Sequence, residues 1–78
     1  MATHERISID PAVMVGKPVI KGTRITVELI LWKLSQGASE EDLIEAYPSL
    51  RPGDVRAAIA YAADVVAHEI IVTAPVTP

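Results

Sequence analysis

Apolar and polar side chains alternate over Arg6-Ile7-Ser8-Ile9-Asp10, the period of a strand with one covered face, which puts Ile7 and Ile9 on the same side. Asp10-Pro11 ends the run, because proline gives no amide to a ladder and restricts the residue before it. Gly16-Lys17-Pro18 signals a turn, and Val19-Ile20 is a β-branched pair suited to a second strand. Gly22 can take positive φ ahead of Thr23-Arg24-Ile25, so the first third of the chain predicts two or three short strands.

The period then changes. Val27, Ile30, Leu31 and Leu34 fall on one helical stripe, with Thr26 as N-cap, Glu28 in the first turn and Gly37 as the left-handed stop. A second helix begins after Ser39, an N-cap whose partner three residues on is Asp42, a short capping-box acid. Leu43, Ala46 and Tyr47 form its expected buried side, and Pro48 stops it. A third helix is expected from about Pro52, with Asp54 in its first turn and a stripe of Val55, Ala58, Ile59, Ala62 and Val66 through about residue 69.

The order of elements predicts a mainly α domain with a short N-terminal β element, its three helices compatible with a helix-turn-helix arrangement. Residues 1–69 read as one domain and residues 70–78 as an apolar C-terminal tail. That tail is uncharged and is compatible with a helix end, an edge strand or disorder. There are no internal repeats.

Composition narrows the function. A chain of 78 residues is small for a self-sufficient core, so association is the expected compensation, by a second copy or a partner. The absence of cysteine removes disulfides, thiolate metal sites and thiol nucleophiles, and His4 and His68 lack the paired spacing of a zinc site. No apolar run is long enough to span a bilayer and Met1 to Asp10 lacks the pattern of a signal peptide, so a cytoplasmic protein is expected. The net charge of −3 hides an asymmetry: residues 1–35 hold five basic against three acidic side chains, residues 36–78 two against seven. A uniformly basic nucleic-acid binder is excluded, whereas a local basic face is not.

Lys21-Gly22-Thr23 exchanges the lysine and glycine of a phosphate loop, so it lacks that geometry. No serine lies in a nucleophile elbow, His4 is expected in a mobile terminus, and the carboxylates of the third helix read as a solvated face. Neither an enzyme nor a cofactor is expected. The basic residues are more informative: Lys21 and Arg24 flank the hairpin-like segment, Lys33 lies off the stripe of the first helix, and Arg51 and Arg56 open the third. If that helix reads DNA, its arginines are placed for phosphates or guanine. Against this, Glu40-Glu41-Asp42 would repel phosphates if it faced them, and scarce aromatics disfavour readers that stack bases. Trp32, off its helix stripe, is either a second core contact or an interface anchor.

Ile9-Asp10-Pro11 and Gly16-Lys17-Pro18-Val19-Ile20-Lys21-Gly22-Thr23-Arg24-Ile25 resemble the signature of the domain-of-unknown-function 433 family. So do Val27, Ile30-Leu31, Gly37, Ser39-Glu40-Glu41, Tyr47-Pro48, Leu50, Asp54-Val55 and the alanine-rich stretch to Tyr61-Ala62, a similarity over about residues 6–64. The resemblance implies a winged-helix-like or homeodomain-like fold, a homodimer, and an antitoxin of the type II toxin–antitoxin class. Such a protein neutralises a PIN-like ribonuclease toxin and binds the operator DNA of its own operon. Two departures stand out: Thr26 where relatives commonly carry proline, and Arg51 where a small hydroxylated cap would precede the third helix. The expected DNA contacts are therefore Lys21, Arg24, Lys33, Arg51 and Arg56. The expected dimer or toxin surface takes Ile7, Ile9, Trp32, Ile70, Ile71 and Val72. The alternative is a dimeric interaction module without DNA affinity.

Overall fold

The two short strands meet across one antiparallel hairpin. Strand β1 (Ile7–Ser8) pairs with β2 (Val19–Ile20), Ile7 opposite Ile20 and Ser8 opposite Val19. The structure, a computed structural model, describes residues 4–73, with side chains through His68. The ladder stops at Ser8, so the alternation does not carry through: Ile7 packs against the core while Ile9 is exposed. Instead of a third strand, Thr26 makes a single bridge to Val19, and Val27 donates its amide to the carbonyl of Pro18. Between them, residues 20–25 close on themselves. The Ile20 carbonyl accepts from the Thr23 amide and hydroxyl, and the Thr23 hydroxyl accepts from the Ile25 amide at 3.0 Å. Gly22, at φ +83°, supplies the left-handed corner.

Helix α1 (Val27–Ser35) starts on Thr26, whose hydroxyl accepts from the Leu29 amide, and ends before Gly37 at φ +100°. Helix α2 (Glu40–Ala46) carries a complete capping box: Ser39 and Asp42 each accept the other's amide proton. The Ser39 amide first and the Ser39 hydroxyl second hold the Asp42 carboxyl below its ordinary value. In α2 the inward residues are Leu43 and Ile44, and Tyr47 packs behind them as C-cap. Ala46 is exposed, because the chain turns at Tyr47 and Leu50 takes the core position instead.

Helix α3 (Asp54–Thr73) is the longest element, with 20 residues. Pro52 is not in its first turn. The Arg51 carbonyl accepts from the Asp54 amide, with Pro52 and a left-handed Gly53 between, the residue pattern of a type II turn. The core is the apolar cluster of Ile20, Val27, Ile30, Leu43, Leu50, Val55 and Ala58. Each fully buried branched side chain contributes about 1.5–3 kcal/mol. Ile59 and Val66, expected in the buried stripe, are 46% and 51% exposed. Alanines and valines surround α3, so two stripes satisfy the helical period, and the one holding Val55, Ala58, Tyr61 and Ala62 faces the core. The helix continues to Thr73, so residues 70–73 extend it, while 74–78 lie outside the described residues. Among the described residues, no helix is long and apolar enough to cross a membrane.

Candidate nucleic-acid interface

A buried carboxylate organises the start of α3. Asp54 is 0% exposed and its two oxygens have separate partners. One accepts from the Arg51 amide at 2.8 Å, completing the turn from the side-chain end. The other accepts from Arg6 Nη1 at 2.9 Å, and the same nitrogen donates to the Pro52 carbonyl at 2.8 Å. Arg51 therefore needs no hydroxylated side chain: its position precedes the turn, and Asp54 satisfies its amide. Gly53 lies directly under the Arg6 guanidinium, so a Cβ there would come 2.9 Å from Nη1 and 3.2 Å from Cζ.

This arrangement draws in several of the basic residues expected to bind DNA. Lys21 pairs across the hairpin with Arg6, donating its amide to the Arg6 carbonyl at 2.7 Å. Arg51 brings Nε to 3.8 Å from Asp54, with its side chain largely exposed. Arg56, in the first turn of α3 and exposed, lines an open groove of about 420 Å³ with His4, Glu5, Arg6, Gly53, Ala57 and Ala60. Arg24, also exposed, sits at the other end of the Lys21 loop, beside Ser8, Val13, Gly22 and Thr23. Lys33 does not join the group. It stays on α1, its Nζ 5.8 Å from the centre of the Trp32 ring, a cation–π contact.

Two residues at the groove depart from their sequence reading. His4 is partly buried, with Nε2 at 2.7 Å from an Asp64 carboxylate oxygen and its ring edge-on to Tyr61 at 5.3 Å between centroids. It is thus fixed to α3, and Asp64 belongs to that contact. Arg6, counted only as a charge in the sequence, is the link between hairpin and helix. The Pro52-Gly53-Asp54 run marks a tight turn with a carboxylate behind it, but does not name Arg6 as the partner.

Of the residues expected at a protein interface, Ile7 is committed to the core, Ile9 is exposed and Trp32 is 55% exposed. The side chains of Ile70, Ile71 and Val72 lie outside the described residues. Trp32 shares a shallow groove with Met14, Lys17, Glu28 and Leu29, and Lys17 and Glu28 pair at 2.9 Å. Nothing in the residue pattern pointed to Met14 and Val15. They sit at φ +49° and +58°, and Val15 is 93% exposed. A β-branched residue in the left-handed region is strained, and here the strain presents an apolar side chain to water. Among the described residues, no cluster of histidines and carboxylates could hold a metal.

A solved structure shares this arrangement of elements. A crystal structure of a DUF433 member protein from Anabaena variabilis matches with a TM-score of 0.70 and 33% identity, over 85% of this chain and 68% of the other. The uncharacterised protein y4eO of Sinorhizobium fredii is 36% identical over 61 residues, 78% of this chain. The chain spans only 28% of that relative's length. An uncharacterised protein of Archaeoglobus fulgidus is 71% identical over 24 residues, 31% of this chain and 67% of its own. The model of the family described as protein of unknown function (DUF433) matches residues 7–62, and the chain belongs to that family.

Proposed function

We propose that the protein is a regulator of the antitoxin type, which contacts DNA through the basic group at the start of α3 and a protein partner through a separate apolar surface. The observation that carries the DNA reading is the gathering of Arg6, Arg51 and Arg56 at one helix terminus, with Lys21 paired to Arg6 through its backbone. In a helix-turn-helix or winged-helix reading, α3 is the recognition helix and the Lys21–Arg24 loop lies beside it as the wing. Arginines there reach phosphates or a guanine edge, and the reading requires the acidic first turn of α2, Glu40 to Asp42, to lie off the contact. The expected partner is a PIN-like ribonuclease toxin, held by a homodimer of this chain. The test is binding to duplex DNA from upstream of the operon. Arg51→Ala with Arg56→Ala should weaken it at least tenfold. Equal binding by wild type and the double variant rejects the assignment.

The exposed Met14, Val15 and Trp32 favour a second reading, an interaction module without DNA affinity. Trp32 is the anchor type most enriched at binding hot spots. Co-expression with the product of the adjacent gene separates the readings. A complex that Trp32→Ala disrupts, with no DNA binding by either variant, favours the module.

A further inference from the structure

We propose that the groove between Arg6 and Arg56 is a preformed oxyanion site that takes one phosphate of the nucleic-acid backbone, with Asp54 as the residue that positions Arg6. The inference deepens the DNA reading and rests on it. A guanidinium has five N–H donors in a fixed plane. In Arg6, Nη1 is committed to Asp54 and to the Pro52 carbonyl, which fixes the plane of the group. The side chain remains 45% exposed, and the hydrogen bonds it makes among the described residues use Nη1, which leaves Nη2 and Nε for a second acceptor. The fork geometry of that edge matches a phosphate or carboxylate.

Three further features fit an oxyanion there. Arg56 lines the same groove and brings a second cation. The wall beside them is Gly53, Ala57 and Ala60, side chains too small to fill the space. Gly53 serves twice: its φ of +95° suits only glycine well, and any Cβ would push the guanidinium off its position. The carboxylates nearby are accounted for. Asp54 is buried against Arg6, and Asp64 is bound to His4. Glu5 is the one opposing charge on the lining, and it is exposed. A lysine at position 6 could neutralise Asp54, but as a point charge it could not offer a second fixed edge.

The test measures duplex binding across a salt series for wild type, Arg6→Lys and Arg56→Ala. Alongside, the arginine Nε–H signals are followed by NMR as inorganic phosphate is added. Arg56→Ala changes an exposed side chain, so its fold is expected to be intact, and far-UV circular dichroism checks both variants. The expected result is about tenfold weaker binding for each variant, with the salt slope reduced by about one for Arg56→Ala and unchanged for Arg6→Lys. Folded variants that bind DNA with wild-type affinity and slope overturn the oxyanion site while leaving the DNA reading intact. Wild type without DNA affinity, but with phosphate-dependent shifts at Arg6 and Arg56, overturns the nucleic-acid source and keeps the site for free phosphate. Neither DNA binding nor such shifts overturns both.

Discussion

Replacing Arg6 by methionine keeps the apolar stem of the side chain but leaves Asp54 as a buried carboxylate. Breaking a buried pair from one side costs about 3–5 kcal/mol when both partners are dry. Here Asp54 is fully buried but the Arg6 side chain is 45% exposed, so water already screens part of the pair. Asp54 also keeps the Arg51 amide at 2.8 Å. The expected loss for Arg6→Met is therefore about 2–3 kcal/mol. Asp54→Ala loses the same ion pair and a cap-like bond of about 1 kcal/mol, while Arg6 can turn into solvent. Its expected loss is also about 2–3 kcal/mol. The double variant removes both charges and no longer buries an unpaired carboxylate, so it should cost less than the two singles together by about 1.5–2.5 kcal/mol. Urea unfolding followed by far-UV circular dichroism measures all four corners of this cycle. In a domain of this size each single loss lowers Tm by about 10–20 °C. A coupling below about 0.5 kcal/mol would refute the claim that Arg6 and Asp54 hold the hairpin to α3.

The Gly53→Ala variant should lose about 1.5–2.5 kcal/mol, part from its positive φ and part from displacing Arg6 off Asp54. In an Arg6→Met background urea titration should recover the second part, and an identical loss in both backgrounds would remove Arg6 from the explanation. Val15→Asn should gain about 0.5–1 kcal/mol in thermal unfolding, since asparagine tolerates the left-handed region and an exposed valine gives up no packing. A destabilised variant would mean that Val15 has packing partners. Because the folded Asp42 carboxyl is held below its ordinary value of 3.8, its contribution to stability is complete above that value and is lost as pH falls through the lower folded value. The stability difference between wild type and Asp42→Asn should accordingly shrink on acidification from about pH 6 to about pH 2, and a difference that grows would reverse the assignment.

The parts of the fold that were legible in the sequence are those that neighbours in the chain determine. Thr26 and Ser39 cap because each reaches an amide three residues on, and Gly22 and Gly37 mark corners that need positive φ. The stripe of α1 was readable because its charged residues, Glu28 and Lys33, both lie off it. The stripe of α3 was not, since alanine and valine surround the helix and the period alone does not choose a face. The candidate site was half legible. Lys21, Arg24, Arg51 and Arg56 stood out as cations, but Arg6 meets Asp54 across 48 residues, and His4 meets Asp64 across 60. No local pattern encodes such pairings. Lys33 sits on α1 off the stripe, as its spacing indicated, with its ammonium over the neighbouring Trp32 ring.

The salt dependence of wild-type binding to duplex DNA from upstream of the operon tests the basic group most directly. With Arg6 and Arg56 sharing one phosphate and Lys21 and Arg51 each on another, the logarithm of affinity should fall against the logarithm of salt with a slope of about −3. No binding at low salt, or a slope near zero, would contradict a DNA contact at the start of α3.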